Sequence, residues 1–210
     1  MARITGFEPD PRRPGAVRVL VDGRPFCTVH EEAAGAGLRV GGDWDDQQQA
    51  LAGQAADEEA AWRAALRSLE FRSFAVAELR RRLRLKGHPP AAVEYAVARA
   101  QGAGLLDDAA YARLYVASRA ARGRGPSRIR RDLLALGVSR ELIDHALAEQ
   151  WPDQDDALAI ARELAERRLR QLAALPPETR RRRVLAYLAR RGFTGSRVSD
   201  IVTRALRGKS

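Results

Sequence analysis

The chain has 210 residues, 45% of them hydrophobic and 30% charged, with a formal net charge of +10. That is enough apolar material for one domain or a string of small ones. The single Cys27 excludes an internal disulfide and a Cys-based metal cluster. No long apolar run stands anywhere in the sequence, and no apolar stretch follows Met1. A soluble, cytoplasmic protein without a membrane span is therefore expected.

The leader comes first. Val17, Val19 and Val21 alternate with Arg18 and Leu20, and Asp22-Gly23 follows. That pair suits a type I′ turn, which needs positive φ at both central residues. A second strand is expected over Phe26–Val29, with an edge strand over Ile4–Phe7. Pro9, Pro11 and Pro14 mark the loop between. Residues 41–60 are acidic and rich in Gln and Ala, and read as either a helix or a link. From about Glu58 the pattern is helical. A first helix is expected over about 58–70. A second runs over about 74–86, with Ser73 as N-cap and Gly87 as a left-handed C′ residue. A third starts at Pro89-Pro90, where proline suits a first turn. Asp107 caps the next helix, in which Tyr111, Leu114 and Tyr115 share a face read as core. Pro126 opens another, Gly137 ends it, and Ser139 caps a helix with Leu142, Ile143, Ala146 and Leu147 inward. Trp151-Pro152 separates this group from the last. There Ala161, Leu164, Ala165, Leu169 and Leu172 mark one helix face, and helices over about 178–191 and 196–207 follow Pro176-Pro177.

One phrase recurs three times through these helices. It is an aliphatic residue, three residues, Leu, three residues, Gly: Leu79, Leu83 and Gly87; Ile129, Leu133 and Gly137; Val184, Leu188 and Gly192. Each copy continues in step with aliphatic residues six and ten positions after the Gly: Val93 and Val97, Ile143 and Leu147, Val198 and Val202. A period of this kind signals stacked helical units and an extended surface rather than one pocket. The expected fold is mainly α: three tandem three-helix repeats behind a small N-terminal β-hairpin region. The expected segments are a leader and link at 1–57 and repeats at 58–102, 103–151 and 152–210. The three phrase leucines are expected in the core.

Charge follows the same division. Residues 1–60 hold six Arg against 11 Asp and Glu, and residues 61–210 hold 31 Lys and Arg against 16 acids. A basic array favours a polyanion or an acidic protein surface. Nearly every cation is Arg, a choice that codon bias also favours. The cations gather on the middle helices: Arg80, Arg81, Arg82, Arg84 and Lys86; Arg128, Arg130 and Arg131; Arg180, Arg181, Arg182, Arg183, Arg190 and Arg191. Arg72, Arg122 and Arg124 extend this candidate face from the flanking segments. For a single Arg a solvated helix face is the plainer reading, but three middle helices together favour a functional surface. The third helices are poor in cations, which weighs against a helix-turn-helix reader of the major groove. Aromatics do not interleave with the basic runs, so no base-stacking platform is expected.

No catalytic constellation stands in the sequence: there is no P-loop, GxSxG or HExxH. His30, His88 and His145 carry no ligand spacing, and His145 reads as structural. Asp107-Asp108 opens a helix, where capping and the macrodipole explain an acidic pair. The chain reads as not an enzyme, with no cofactor and no metal.

Three strings carry a resemblance. They are Arg72-Ser73-x4-Glu78-Leu79-x3-Leu83-x2-Lys86-Gly87, Gly104-Leu105-Leu106-Asp107-Asp108-x2-Tyr111-Ala112-x2-Tyr115, and Gly125-Pro126-x2-Ile129-x3-Leu133-x3-Gly137-Val138. Over about residues 60–206 the chain resembles the RecX family of bacterial regulatory proteins, more loosely in the third unit. The resemblance implies arrays of three-helix repeats that bind the helical groove of the RecA–DNA filament. It implies inhibition of RecA ATP hydrolysis, strand exchange and coprotease activity, although some members promote RecA function in cells. It implies no catalytic residues. The expected partners are the RecA filament and single- or double-stranded DNA, met by a monomer. The alternative is a basic DNA-binding protein that acts without RecA.

Overall fold

The computed structural model describes residues 2–207. Strands β1 (Ile4–Pro9), β2 (Ala16–Val21) and β3 (Arg24–His30) form an antiparallel sheet in that order. Asp22 and Gly23 take φ of +48° and +75°, the double left-handed turn that an Asp-Gly pair permits. One face of the sheet buries Ile4, Val17, Val19 and Val29. It packs on the short helix α1 (Glu31–Gly37) and on Ala52 and Ala55 of α2 (Asp46–Leu69).

Helix α2 corrects the expected start near 58. Asp45 caps it, its side chain accepting from the Gln48 N–H at 2.8 Å. The helix runs unbroken through the point where a boundary was expected. Its amino-terminal half serves the sheet. Its carboxyl-terminal half places Ala61, Ala64 and Ala65 in the core of the first repeat. The inward residues of the early turns are alanines, so no aliphatic stripe announces them.

Eight further helices follow: α3 (Val76–Leu85), α4 (Pro90–Gly102), α5 (Asp108–Ala121), α6 (Pro126–Ala135), α7 (Arg140–Gln150), α8 (Gln154–Gln171), α9 (Pro177–Arg191) and α10 (Ser196–Arg207). They group as three repeats, α2–α4, α5–α7 and α8–α10. In each, the first and third helices pack most broadly on each other. The middle helix buries only two residues: Leu79 and Leu83 in α3, Ile129 and Leu133 in α6, Val184 and Leu188 in α9. These six are fully buried, and each stabilises its repeat by about 1.5–3 kcal/mol relative to exposure.

The spacing of Leu to Gly has a backbone cause. Gly87, Gly137 and Gly192 take φ of +86°, +84° and +97°. The residue after each Gly donates its N–H to the carbonyl of the phrase leucine: His88 to Leu83 at 3.3 Å, Val138 to Leu133 at 3.1 Å, Phe193 to Leu188 at 3.0 Å. This is the Schellman closure, in which a left-handed residue turns the chain back on the last carbonyls. Val138 and Phe193 are then buried, Phe193 in the core of the third repeat.

Two local expectations are corrected. The N-cap of α3 is Ala75, not Ser73, and it makes no side-chain cap. Phe74 and Ala75 are both buried, which holds the chain extended past Ser73. The inward face of α5 is Ala112, Val116 and Ala120, while Leu114 is 68% exposed and Tyr111 and Tyr115 are half-buried. The tyrosines pack ring to ring at 6.0 Å beside the core rather than within it.

By packing, the chain divides into two compact units, the first through Leu106 and the second from Asp107. The first holds the sheet, α1 and the first repeat. The second holds the other two repeats.

Candidate partner-binding face

A middle helix that buries two residues per repeat leaves most of its surface to solvent, and that is where the cations stand. Many of them are already engaged within the protein. Arg80 meets Glu94 at 2.9 Å, and Arg84 meets the same carboxylate at 3.0 Å. These guanidinia, Arg80 first, hold the Glu94 carboxyl below the usual carboxylate range. In the second repeat Arg130 is ion-paired with Asp144. The two pairs are equivalent: each Arg follows the first residue of the phrase, and each acid stands seven residues after the Gly. Both tie a middle helix to a third helix. The signal for this tie is the shared offset from the phrase rather than the periodicity of either helix. In the third repeat the same positions are Leu185 and Ser199, and Arg181 reaches Ser199 Oγ at 3.0 Å instead.

Other cations serve packing. Arg72 makes two hydrogen bonds to Glu78, at 2.6 and 3.1 Å, and its guanidinium lies 3.6 Å from the centre of the Phe74 ring. Arg82 donates to Ser68 Oγ at 3.2 Å and lies 5.6 Å from the same ring. Arg128 pairs with Asp132 at 2.9 Å. The Arg180 Nε is buried without a hydrogen-bond partner. Arg191 donates to the carbonyls of Arg122 and Gly123, both at 3.2 Å.

Arg81, Lys86, Arg122, Arg124, Arg131, Arg182, Arg183 and Arg190 remain exposed, and no carboxylate pairs with any of them among the described residues. Two apolar residues join them. Leu85, one turn after Arg81 on α3, is 82% exposed, and Leu134 on α6 is 40% exposed. A phosphate chain has no use for an exposed leucine, whereas a protein surface does. The charge pattern alone did not suggest these residues.

Within the second unit, Arg124, Arg128 and Arg131 come together with Arg190 and Arg191 around a groove of about 630 Å3, beside Tyr187 and Ala189. The groove lies between the second and third repeats.

The histidines play local parts. His145 is exposed, 3.4 Å from Glu149 one turn on. His30 Nε2 lies 2.7 Å from Arg99 Nη2 and links β3 to α4. Beside them Glu59 is buried with one carboxylate oxygen unpartnered, and burial raises its pKa. Asp107 accepts from the N–H groups of Ala110 and Ala109, which lower its pKa, as expected of a cap. No helix among the described residues is long and apolar enough to cross a membrane.

These features define a class: a tandem three-helix-repeat protein whose surface, rather than an enclosed site, carries the charge. Three family models match it: RecX first three-helix domain over residues 61–99, second three-helix domain over 107–147, and third three-helix domain over 154–202. The chain belongs to the RecX family. It is 38% identical over 136 residues to a regulatory protein RecX of Halorhodospira halophila, covering 64% of this chain and 81% of that one. It is 37% identical over 147 residues to that of Ectopseudomonas mendocina, covering 70% and 92%. A crystal structure of a regulatory protein RecX superposes with a TM-score of 0.81 at 26% identity, over 97% of this chain and all of the other. That of RecX from Lactobacillus salivarius shares the fold, with a TM-score of 0.62 at 19% identity over 71% and 96%.

Proposed function

We propose that this chain is a non-enzymatic regulator of the RecA recombinase. It binds the RecA–DNA filament in its helical groove and inhibits ATP hydrolysis, strand exchange and coprotease activity. It works as a cytoplasmic monomer of three repeats, 58–102, 103–151 and 152–210, the first of which shares helix α2 with the 1–57 leader. The observation that carries this reading is the repetition of one surface. Three successive middle helices, each anchored by two buried residues, turn cations without carboxylate partners toward solvent. In the first two repeats exposed leucines stand among them. A filament offers its own repeated surface, and several weak sites on one chain gain affinity through effective concentration.

The first test is ATP hydrolysis by RecA on single-stranded DNA, with the full chain titrated from substoichiometric amounts. Inhibition at low ratios is expected. Arg81→Glu/Arg182→Glu/Arg183→Glu should lose most of that inhibition while keeping its helical circular dichroism. These three are chosen because they have no carboxylate partner, whereas reversal of Arg130 would also break its pair with Asp144. Full inhibition by the folded variant would remove these cations from the binding face. No effect of the wild-type chain on hydrolysis, with salt-dependent binding to bare DNA, would favour the RecA-independent reading.

A further inference from the structure

The groove in the second unit is built differently from the rest of the basic surface. Its walls are locked by backbone contacts: Gly125 donates its N–H to the Arg191 carbonyl at 2.7 Å, and Ser127 to the Gly192 carbonyl at 3.2 Å. The approach leaves no room for side chains. A Cβ on Gly125 would meet the Gly192 oxygen at 2.6 Å, and one on Gly192 would meet the Arg128 nitrogen at 2.4 Å. Five arginines line the space so fixed, and no carboxylate is among the lining residues. Two of them are held by the protein, Arg191 through the carbonyls of Arg122 and Gly123 and Arg128 through Asp132. The other three, Arg124, Arg131 and Arg190, have no such partner.

We propose that this groove binds a chain of closely spaced phosphate groups. Arginine forks match phosphate oxygens in pairs, which suits them to this ligand better than a point charge would. Two pre-placed guanidinia and three exposed ones without a carboxylate partner fit an anion with several charged centres better than a single carboxylate. The ring of Tyr187 does not offer a base-stacking face. Arg191 lies 4.9 Å and Arg168 5.6 Å from its centre, so guanidinia already cover it. The site therefore reads phosphate and not base. The phosphates come either from a nucleic-acid backbone or from a free polyphosphate. This proposal does not depend on RecA, and its test uses none.

The full chain is titrated into a fluorescent oligo(dT) strand across a salt series, and separately challenged with sodium tripolyphosphate. The variant is Arg124→Ser/Arg131→Ser/Arg190→Ser. The control, Arg140→Ser/Arg167→Ser/Arg170→Ser, removes the same charge from exposed positions of the same unit outside the groove and outside the middle helices. The groove variant should lose about tenfold or more in affinity at low salt. The slope of log affinity against log salt should flatten by about two, at about 0.7 per phosphate on a single strand. The control should change little. Tripolyphosphate that competes, and that raises the melting temperature of wild type and control but not of the groove variant, assigns a free polyphosphate. Oligonucleotide binding without competition assigns the backbone. Equal losses in variant and control would overturn the site in favour of diffuse charge. So would a wild-type chain that binds neither probe.

Discussion

A Cβ on Gly192 would stand 2.4 Å from the Arg128 amide nitrogen, while one on Gly87 meets nothing within 4 Å. Both residues have left-handed backbone, so both resist substitution, but for different reasons. Gly87→Ala should cost only the conformational penalty, about 1–2 kcal/mol. Gly192→Ala adds a backbone overlap at the seam of two repeats and should cost more than about 3 kcal/mol. Urea denaturation of the two variants checks the order, and equal costs would show that the seam opens freely. The three phrase glycines look identical in the sequence, because their spacing reports the Schellman turn that they share. The second demand on Gly192 comes from the backbone at Arg128 and Gly125, in the repeat before it, which no local pattern reveals. Charge was similarly half-legible. The cations could be counted, but their pairing with Glu94 and Asp144 across the repeat could not be seen from helix periodicity. Glu94 also makes a pH prediction. Its pKa is lowered in the fold, so its pairs stabilise the protein above the carboxyl's unfolded pKa. That contribution is lost as pH falls through the lower folded value. Glu94→Gln should therefore melt slightly lower than wild type near neutrality, by an exposed pair's worth of about 0.2–1 kcal/mol. The gap should close in acid, as melting curves between neutral and acid pH would show.

Helix α2 is the element that the sequence conveyed least well. Its early turns bury Ala52 and Ala55, and later ones Ala61, Ala64 and Ala65. Alanine gives a close approach without a strong apolar stripe, so the acidic Gln/Ala segment at 41–60 reads equally as a helix or a link. The middle helices were the opposite case. Two aliphatics at a spacing of four, a terminal Gly and a surplus of Arg state their buried edge, their end and their exposed face. Because one helix serves two cores, damage to the sheet should travel along it. Val19→Asp puts a charge at a fully buried position of the sheet. Amide protection should fall in residues 46–57 and should drop measurably through Ala61–Ala65. Hydrogen exchange read by mass spectrometry tests this. Protection unchanged beyond residue 57 would mean that the two halves of α2 are energetically separate.

At the scale of the molecule, the balance of charge and the two compact units bear on how an array could act. Leu106 closes the core of the first unit, and the Asp107 side chain caps α5 at the start of the second. A cut between them separates the units with the hydrophobic seal on one side and the cap on the other. Fragments 1–106 and 107–210 should therefore each retain cooperative thermal unfolding. The partners proposed here assign them different shares. The first fragment holds Arg81 and Lys86, but Arg80 and Arg84 are engaged with Glu94 and its sheet region is acidic. The second holds the arginine groove. Fragment 107–210 should keep most of the phosphate binding. Neither fragment alone should inhibit RecA at the ratios where the intact chain does. An equimolar mixture should fail as well, since joining two weak sites supplies an effective concentration that free fragments at micromolar levels do not reach. RecA ATP hydrolysis with intact chain, each fragment and the mixture at matched concentration decides the point. If the mixture inhibits as well as the intact chain, covalent linkage contributes nothing, and regulation resides in one unit rather than in the array.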